Sequence, residues 1–383
     1  MLIAGEPSGD LLAAELVSAL RGQFHASDSY SAPQFFGAGG PRMADAEVEL
    51  VFDMTEHAVI GFSGVLKNYF KFRRLFNQLL ALAIERKPDA VIGVDYGGFN
   101  LRFGHAVKEY VRHDPFSRWN PKIVQFVSPQ VWASRPGRAD LLAADYDLLL
   151  SIFPFEKDWY ARRVPKLRVE FVGHPMVGRF HESKVQSPKS KEPNASPTIL
   201  LLPGSRADEL KRHLPVMLDA LKLIRAKLPD AKAKMVLPDE ELKQLADKLS
   251  ALPANLEIQI GNLPQALMQA DLAIASTGTV TMECAFFGVP AVTLYKTSWF
   301  TWEIAKRIVT VKSATMPNLL AGEEVYPEFI QGAATAENIA NAVLDLLQNE
   351  PRRQKIKAQL GKIVSSLGEP GATKRAADAI LSL

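Results

Sequence analysis

What most constrains the fold of this chain is a repeated alternation of short apolar runs with segments of helical period. In the first half the runs are LIAG, QFFGAG, AVIGVD, KIVQFVS, DLLLSIF and RVEFVG, most of them closing on a small or polar residue. Between them lie segments such as 11–20 and 101–111, whose apolar residues recur at helical steps. Buried strands that alternate with helices predict a parallel sheet covered on both faces. The segment VQSPKSKEPNASP (185–197) breaks the pattern with Pro, Ser and Lys and reads as a linker. The alternation then restarts with TILLLPGSR, a helix over 210–228, AKMVLP, a helix over 240–252, LEIQIG, DLAIAS, a helix from Thr279, and PAVTLY. Residues 335–383 are helical by pattern, with GEPG (368–371) setting off the last helix.

At 383 residues the chain is too long for one ordinary core. The predicted division is a first domain over 1–184, the linker, a second domain over 198–345 and C-terminal helices over 346–383. Those helices are expected to pack back on the first domain or on a partner subunit, which leaves a homodimer open. The economical architecture is α/β, two doubly wound domains with a cleft between them. Ligands then belong at the carboxyl ends of the strands.

Composition narrows the function classes. A net charge of +3 is too small to argue for a polyanionic partner. The single cysteine, Cys284, excludes an internal disulfide and suits a reducing cytoplasm. No apolar run approaches the roughly 18 residues that span a bilayer. The first residues, MLIAGEPSGD, lack a basic region and a long apolar stretch, so no secretory signal is expected there.

A loop that leaves a strand and opens a helix offers unpaired N–H groups and the positive end of a helix dipole, both of which favour phosphate. Three loops fit: GEPSGD (5–10), PGSR (203–206) and STGT (276–279). None matches the P-loop or the G-x-G-x-x-G fingerprint. Arg206 would add a bidentate fork for a diphosphate, and Glu283, one turn into the third helix, could accept from a ribose diol. Asp95 ends the apolar run AVIGV, where a buried strand delivers a side chain to the cleft, and Glu6 and Asp10 flank the first loop. The histidines are scattered, with no metal-binding spacing. Asp145-Tyr146-Asp147 mimics a metal-binding D-x-D but reads better as a surface turn.

One further segment, GVLKNYFKFRRLFNQLLALA (64–83), is an amphipathic helix. Val65, Tyr69, Phe72, Phe76, Leu79 and Ala83 share one face, and Lys67, Lys71, Arg74 and Gln78 the other. A core-packing surface helix, a nucleic-acid patch and a helix lying on a membrane all use this pattern.

Eight stretches stand in order: GEPSGD, GAGGPRM (37–43), VSPQVWAS (127–134), PFEKDWY (154–160), FVGHP (171–175), LLPGSR (201–206), STGTVTMECAFFGVP (276–290) and PNLLAG (317–322). Together they resemble the lipid-A-disaccharide synthase family, the inverting enzymes of glycosyltransferase family 19, over essentially the whole chain. The resemblance implies a GT-B architecture of two Rossmann-like domains. It implies transfer of 2,3-diacylglucosamine from UDP-2,3-diacylglucosamine to the 6-hydroxyl of 2,3-diacylglucosamine 1-phosphate, with release of UDP and with no metal or other cofactor. Carried over by position, Gly204, Ser205, Arg206 and Ser276, Thr277, Gly278 and Thr279 hold the diphosphate. Glu283 takes the ribose, and Asn318 lies near the nucleotide. Ser8, Gly9, Asp10 and Asn100 line the acceptor side, Asp95 is the general base, and Glu6 is the second catalytic carboxylate. The family usually writes D-x-P-D-F-N where this chain has DYGGFN (95–100), and a second Trp where it has Ser134. Its members begin several residues before the first strand, which raises an upstream start as an alternative.

Because both substrates carry acyl chains, the resemblance also implies work at an anionic membrane surface, on the inner face of the inner membrane. Leu66, Lys67, Phe70, Lys71, Arg73 and Arg74 are the expected contacts. Two other readings stand beside this one. The first is another UDP-sugar enzyme of the same architecture, an epimerase or a transferase with a different acceptor. The second is a nucleic-acid-binding protein using residues 67–86, which the near-neutral charge and the one-sided aromatics disfavour.

Overall fold

A seven-stranded and a six-stranded sheet, each paired in parallel throughout, organise the residues described by the computed structural model, which are 1–25, 33–55, 69–114, 118–185 and 196–383. The chain divides into one unit of Met1–Gly178 with Leu367–Leu383, and a second of Arg179–Ser366. In the first unit the order is β1 (Leu2–Ala4), α1 (Pro7–His25), β2 (Phe36–Gly39), α2 (Pro41–Asp45), β3 (Glu49–Asp53), α3 (Tyr69–Arg86), β4 (Ala90–Val94) and α4 (Gly97–His113). There follow β5 (Lys122–Phe126), α5 (Val131–Ser134), α6 (Arg138–Asp145), β6 (Leu148–Ser151), α7 (Pro154–Arg163), β7 (Val169–Phe171) and α8 (Pro175–Val185), which runs past the boundary. The second unit holds β8 (Thr198–Leu202), α9 (Ala207–Lys227), β9 (Lys232–Leu237), α10 (Glu240–Leu249), β10 (Leu256–Ile260), α11 (Leu263–Gln269), β11 (Leu272–Ser276) and α12 (Thr279–Phe286). It continues through β12 (Ala291–Tyr295), α13 (Trp299–Ile308), α14 (Met316–Ala321), β13 (Glu328–Ile330), α15 (Ala336–Gln348) and α16 (Glu350–Ser366). The last helix, α17 (Ala372–Leu381), belongs to the first unit.

Strand order is β3-β2-β1-β4-β5-β6-β7 in the first sheet and β10-β9-β8-β11-β12-β13 in the second. Each sheet therefore reverses its winding once, between β1 and β4 and between β8 and β11. A crevice opens at the carboxyl ends of the strands at such a point. The central strands are apolar and buried along nearly their whole length, as LIA and LAIAS show. Edge strand β3, ELVFD, is part exposed and carries no continuous apolar run, and β13 has only three half-buried residues. Neither was expected from the sequence. The predicted linker falls almost wholly outside the described residues.

Helix α3 divides its faces as its periodicity requires. Leu79 and Ala83 are buried, and the Phe76 ring meets Phe99 and Phe103 edge-on at 5.4 and 5.5 Å. Lys71, Arg73, Arg74 and Gln78 are exposed. Helix α17 packs on α1, where Gln23 bonds Asp378, and Arg375 donates to the carbonyls of Val172, Glu369 and Pro370.

Candidate active site

The turn that ends β4 puts two successive residues with β-carbons in left-handed backbone. Asp95 and Tyr96 both have positive φ, 51° and 46°, and so does Val127 at 69°, beyond the end of neighbouring β5. Left-handed backbone is costly for residues with a β-carbon, about 1–3 kcal/mol each, and persists only when its surroundings fix it. Here two buried amides do so. Asn100 Nδ2 and Gln125 Nε2 each donate to the Asp95 carbonyl at 2.8 Å, and Gln125 also donates to the Val127 carbonyl at 3.1 Å. The orientation is set by the carbonyl they share, so Asn100 Oδ1 and Gln125 Oε1 are left without partners. They are the two such buried side-chain oxygens among the described residues. Gly93 makes the room. A β-carbon there would lie 2.7 Å from Gln125 Oε1 and 2.8 Å from Asn100 Cγ.

The result is a carboxylate presented at the reversal point of the first sheet, with Glu6 of the β1–α1 loop across from it. Burial raises the Asp95 pKa and the nearby Glu6 charge raises it further, against a lowering hydrogen bond from the Tyr96 amide. A raised pKa and a strained, braced backbone suit a group that must take up a proton. Ser8 is exposed in the first turn of α1, and buried Gly9 packs beneath it against the Asp95 β-carbon.

Two assignments to the acceptor side need correction. Asp10 is buried and accepts from the amides of Gly40, Arg42 and Met43 at 2.7, 2.9 and 3.1 Å. It caps α2, so GEPSGD and GAGGPRM are two halves of one structural device. Asn100 is likewise buried and holds the turn from behind. Its Nδ2 is spent on the Asp95 carbonyl. Gly97, where the family usually has Pro, backs onto Pro129, 2.6 Å from where its β-carbon would sit.

In the second unit, the loops after β8 and β11 flank the reversal point of the second sheet. Gly278, at φ 140° with open space where a β-carbon would stand, begins α12, whose N-terminus has no side-chain cap. Ser276 is buried, Thr277 half-buried, and Gly278 and Thr279 exposed. The loop after β8 is less open. Glu209 accepts from the Ser205 amide at 3.1 Å and fills the space beside Gly204. A carboxylate thus already stands where the sequence placed a phosphate, and Gly204 and Ser205 could serve a diphosphate only if it moved. Arg206 is exposed at the N-cap of α9. Glu283 is half-buried; burial raises its pKa to about 7 while Arg179 works to lower it.

Asn318 also needs correction. It is buried, donates to the Tyr326 carbonyl and to Glu328, each at 2.8 Å, and accepts from the amides of Val325 and Tyr326. Its hydrogen-bonding capacity is fully used in bracing α14 to β13, leaving nothing for a nucleotide.

Three polar residues that the sequence reading passed over complete the picture. Gln125 is one, a lone amide in an apolar strand, and a buried amide needs partners. His213 is the second. Its Nδ1 donates to the Pro203 carbonyl at 2.8 Å and its Nε2 accepts from the Lys296 amide at 3.0 Å, tying the β8 loop to the end of β12. That pattern requires the neutral ring, and burial lowers its pKa. Glu156 is the third. It accepts from Trp132 Nε1 at 3.0 Å and from the Phe153 amide at 3.2 Å, with burial raising its pKa to about 7. These bonds join VSPQVWAS to PFEKDWY. Asp145 is no surface turn: it is buried and bonded to His105 and Arg112. Among the described residues, no cluster of three His, Cys, Asp or Glu side chains could hold a metal ion.

This fold, two parallel α/β sheets each with a crevice at its reversal point, is that of the GT-B enzymes. The MurG of Acinetobacter baumannii superposes over 100% of this chain and 99% of its own with TM-score 0.54 at 19% identity. A UDP-GlcNAc 2-epimerase from Neisseria meningitidis bound to UDP-GlcNAc covers 97% and 98% with TM-score 0.59 at 14% identity. Such likenesses speak to fold alone. The family model described as lipid-A-disaccharide synthetase matches residues 1–382, and the chain belongs to that family. Relatives named lipid-A-disaccharide synthase from Trichlorobacter lovleyi and Geobacter metallireducens are 35% and 36% identical over 100% of this chain and 97% and 96% of their own lengths.

Proposed function

We propose that the chain transfers 2,3-diacylglucosamine from UDP-2,3-diacylglucosamine to the 6-hydroxyl of 2,3-diacylglucosamine 1-phosphate, releasing UDP. The observation that carries this reading is Asp95, a carboxylate of raised pKa held in a doubly braced left-handed turn at a reversal point, in a chain of this family. Asp95 takes the hydroxyl proton as the oxygen attacks the anomeric carbon. The bond from that carbon to the UDP oxygen breaks, and the electron pair leaves with the diphosphate. Arg206 and the uncapped N-terminus of α12 offset the charge that develops there. Glu283 accepts from the ribose hydroxyls, and Glu6, across from Asp95, keeps the base from ionising too readily. Because Arg206 and the α12 N-terminus supply the positive charge, turnover should persist in excess EDTA.

The substrates are lipids, and α3 supports attachment to the cytoplasmic face of the inner membrane. Phe70 is 81% exposed beside exposed Lys71, Arg73 and Arg74, while Leu66 and Lys67 lie outside the described residues. No helix among the described residues is long and apolar enough to cross a membrane, so the attachment would be peripheral. Incubation with both substrates and mass spectrometry of the products tests the reaction. A disaccharide 1-phosphate and UDP are expected, and UDP release without a disaccharide would overturn it in favour of hydrolysis or epimerisation.

A further inference from the structure

Large side chains that face solvent are concentrated on α13 and the residue after it. Trp299 is 75% exposed, Phe300 68%, Ile304 40% and Val309 46%. Only Phe70 of α3 is more exposed than Trp299 among the described large apolar residues. No residue of α13 is buried, although its start is well anchored. Ser298 caps it by accepting from the Thr301 amide at 3.1 Å, and Gln331 accepts from the Thr297 amide at 3.2 Å beside the end of β12. A ten-residue helix gains little from backbone propensity alone and depends on packing for its stability. This one is pinned at its base and keeps its aromatic face outward.

The charges say what such a face would meet. Lys306, Arg307 and Lys312 are exposed beside the apolar residues, and the one acidic side chain of the helix, Glu303, is neutralised by Lys306 at 2.6 Å. Phe300, Ile304 and Arg307 fall on one side at helical steps. Bulky aromatics bordered by cations suit the boundary between headgroups and acyl chains, where the rings enter lipid and the cations stay with phosphate. We infer that α13 is a bilayer-docking helix of the second unit, selective for anionic lipid and separate from the contact proposed for α3. The inference uses none of the residues placed in the reaction, and it requires no substrate to be present.

The test is co-sedimentation of the full chain with substrate-free vesicles of phosphatidylglycerol and phosphatidylethanolamine, compared with phosphatidylcholine alone. Trp299→Ser with Phe300→Ser should lower the partition coefficient on the anionic vesicles roughly tenfold, with UDP affinity unchanged. Arg307→Glu with Lys312→Glu should weaken binding to the anionic vesicles and leave phosphatidylcholine binding as it was. Brominated lipid should quench the wild-type protein more than Trp299→Phe, because an interfacial ring at 299 lies near the bromine. Wild-type vesicle binding by the serine variant, with UDP affinity intact, overturns the inference. So does self-association in vesicle-free buffer that the serine substitutions abolish, since a second copy would then be the occupant. The disaccharide assay is a separate readout: a chain active on both substrates but indifferent to Trp299 loses this inference alone.

Discussion

Asp95 sets the sharpest expectations at the scale of single residues. Asp95→Asn keeps the shape of the turn and removes the base, so turnover should fall about 10²–10⁴-fold while UDP affinity holds. A loss of only a few-fold would move the role to Glu6. The same substitution should stabilise the protein. Asp95 has a folded-state pKa above its usual 3.8, so its favourable contribution is complete below that value and is lost as pH rises through the folded pKa. Thermal melts should therefore show the variant's advantage growing from pH 4 towards pH 8. Gln125 acts one step back, through the Asp95 carbonyl. Gln125→Leu should lower kcat about tenfold, keep KM and UDP affinity, and shift the acid limb of the pH–rate profile because the carboxylate is re-aimed. A residue that only packs would lower the melting temperature and leave that limb in place.

At the scale of elements, the two crevice loops of the second unit are proposed to divide one ligand between them. Arg206→Ala should weaken UDP by about tenfold or more and hardly affect uridine, since the guanidinium meets only the diphosphate. Glu283→Ala should weaken both alike, and wild-type affinity for uridine should fall as pH drops through about 7, where the accepting carboxylate is lost. Calorimetry with both ligands decides, and equal losses in the two variants would refute the division. The strands and loops that carry these groups were legible in the sequence because central strands, buried on both faces, leave continuous apolar runs, as AVIGV and LAIAS do. Edge strands β3 and β13 leave no such trace. Polar residues were harder to read. Asp10, Asn100 and Asn318 each stand in a stretch the sequence marks as a motif, and local sequence cannot distinguish a ligand contact from a brace on backbone elsewhere in the fold. The amides that engage Asp10 lie 30 or more positions along the chain. Gln125 and His213 left a fainter sign, a polar residue inside an apolar stripe.

At the scale of the whole molecule, the last helix belongs to the first unit although the second unit separates it in sequence. Truncation after Ser366 would remove Leu367, Ala372, Ala376, Ala377 and Ile380, all buried, and the Arg375 bonds to three carbonyls. The melting transition of the first unit should fall by about 10 °C or more, while the second unit still binds UDP. Calorimetric scans with and without UDP would separate the two, and an unchanged first transition would contradict the packing described for α17. The order of the chain also governs how such a protein can be recombined. Residues 179–366 are one uninterrupted segment, and the first unit is the two pieces on either side of it. A single crossover with a relative, wherever it falls, leaves at least one unit a mosaic of two parents. Two crossovers, at the joints 178/179 and 366/367, exchange the second unit whole, as a cassette, and leave the candidate base with its own braces and its own C-terminal helix.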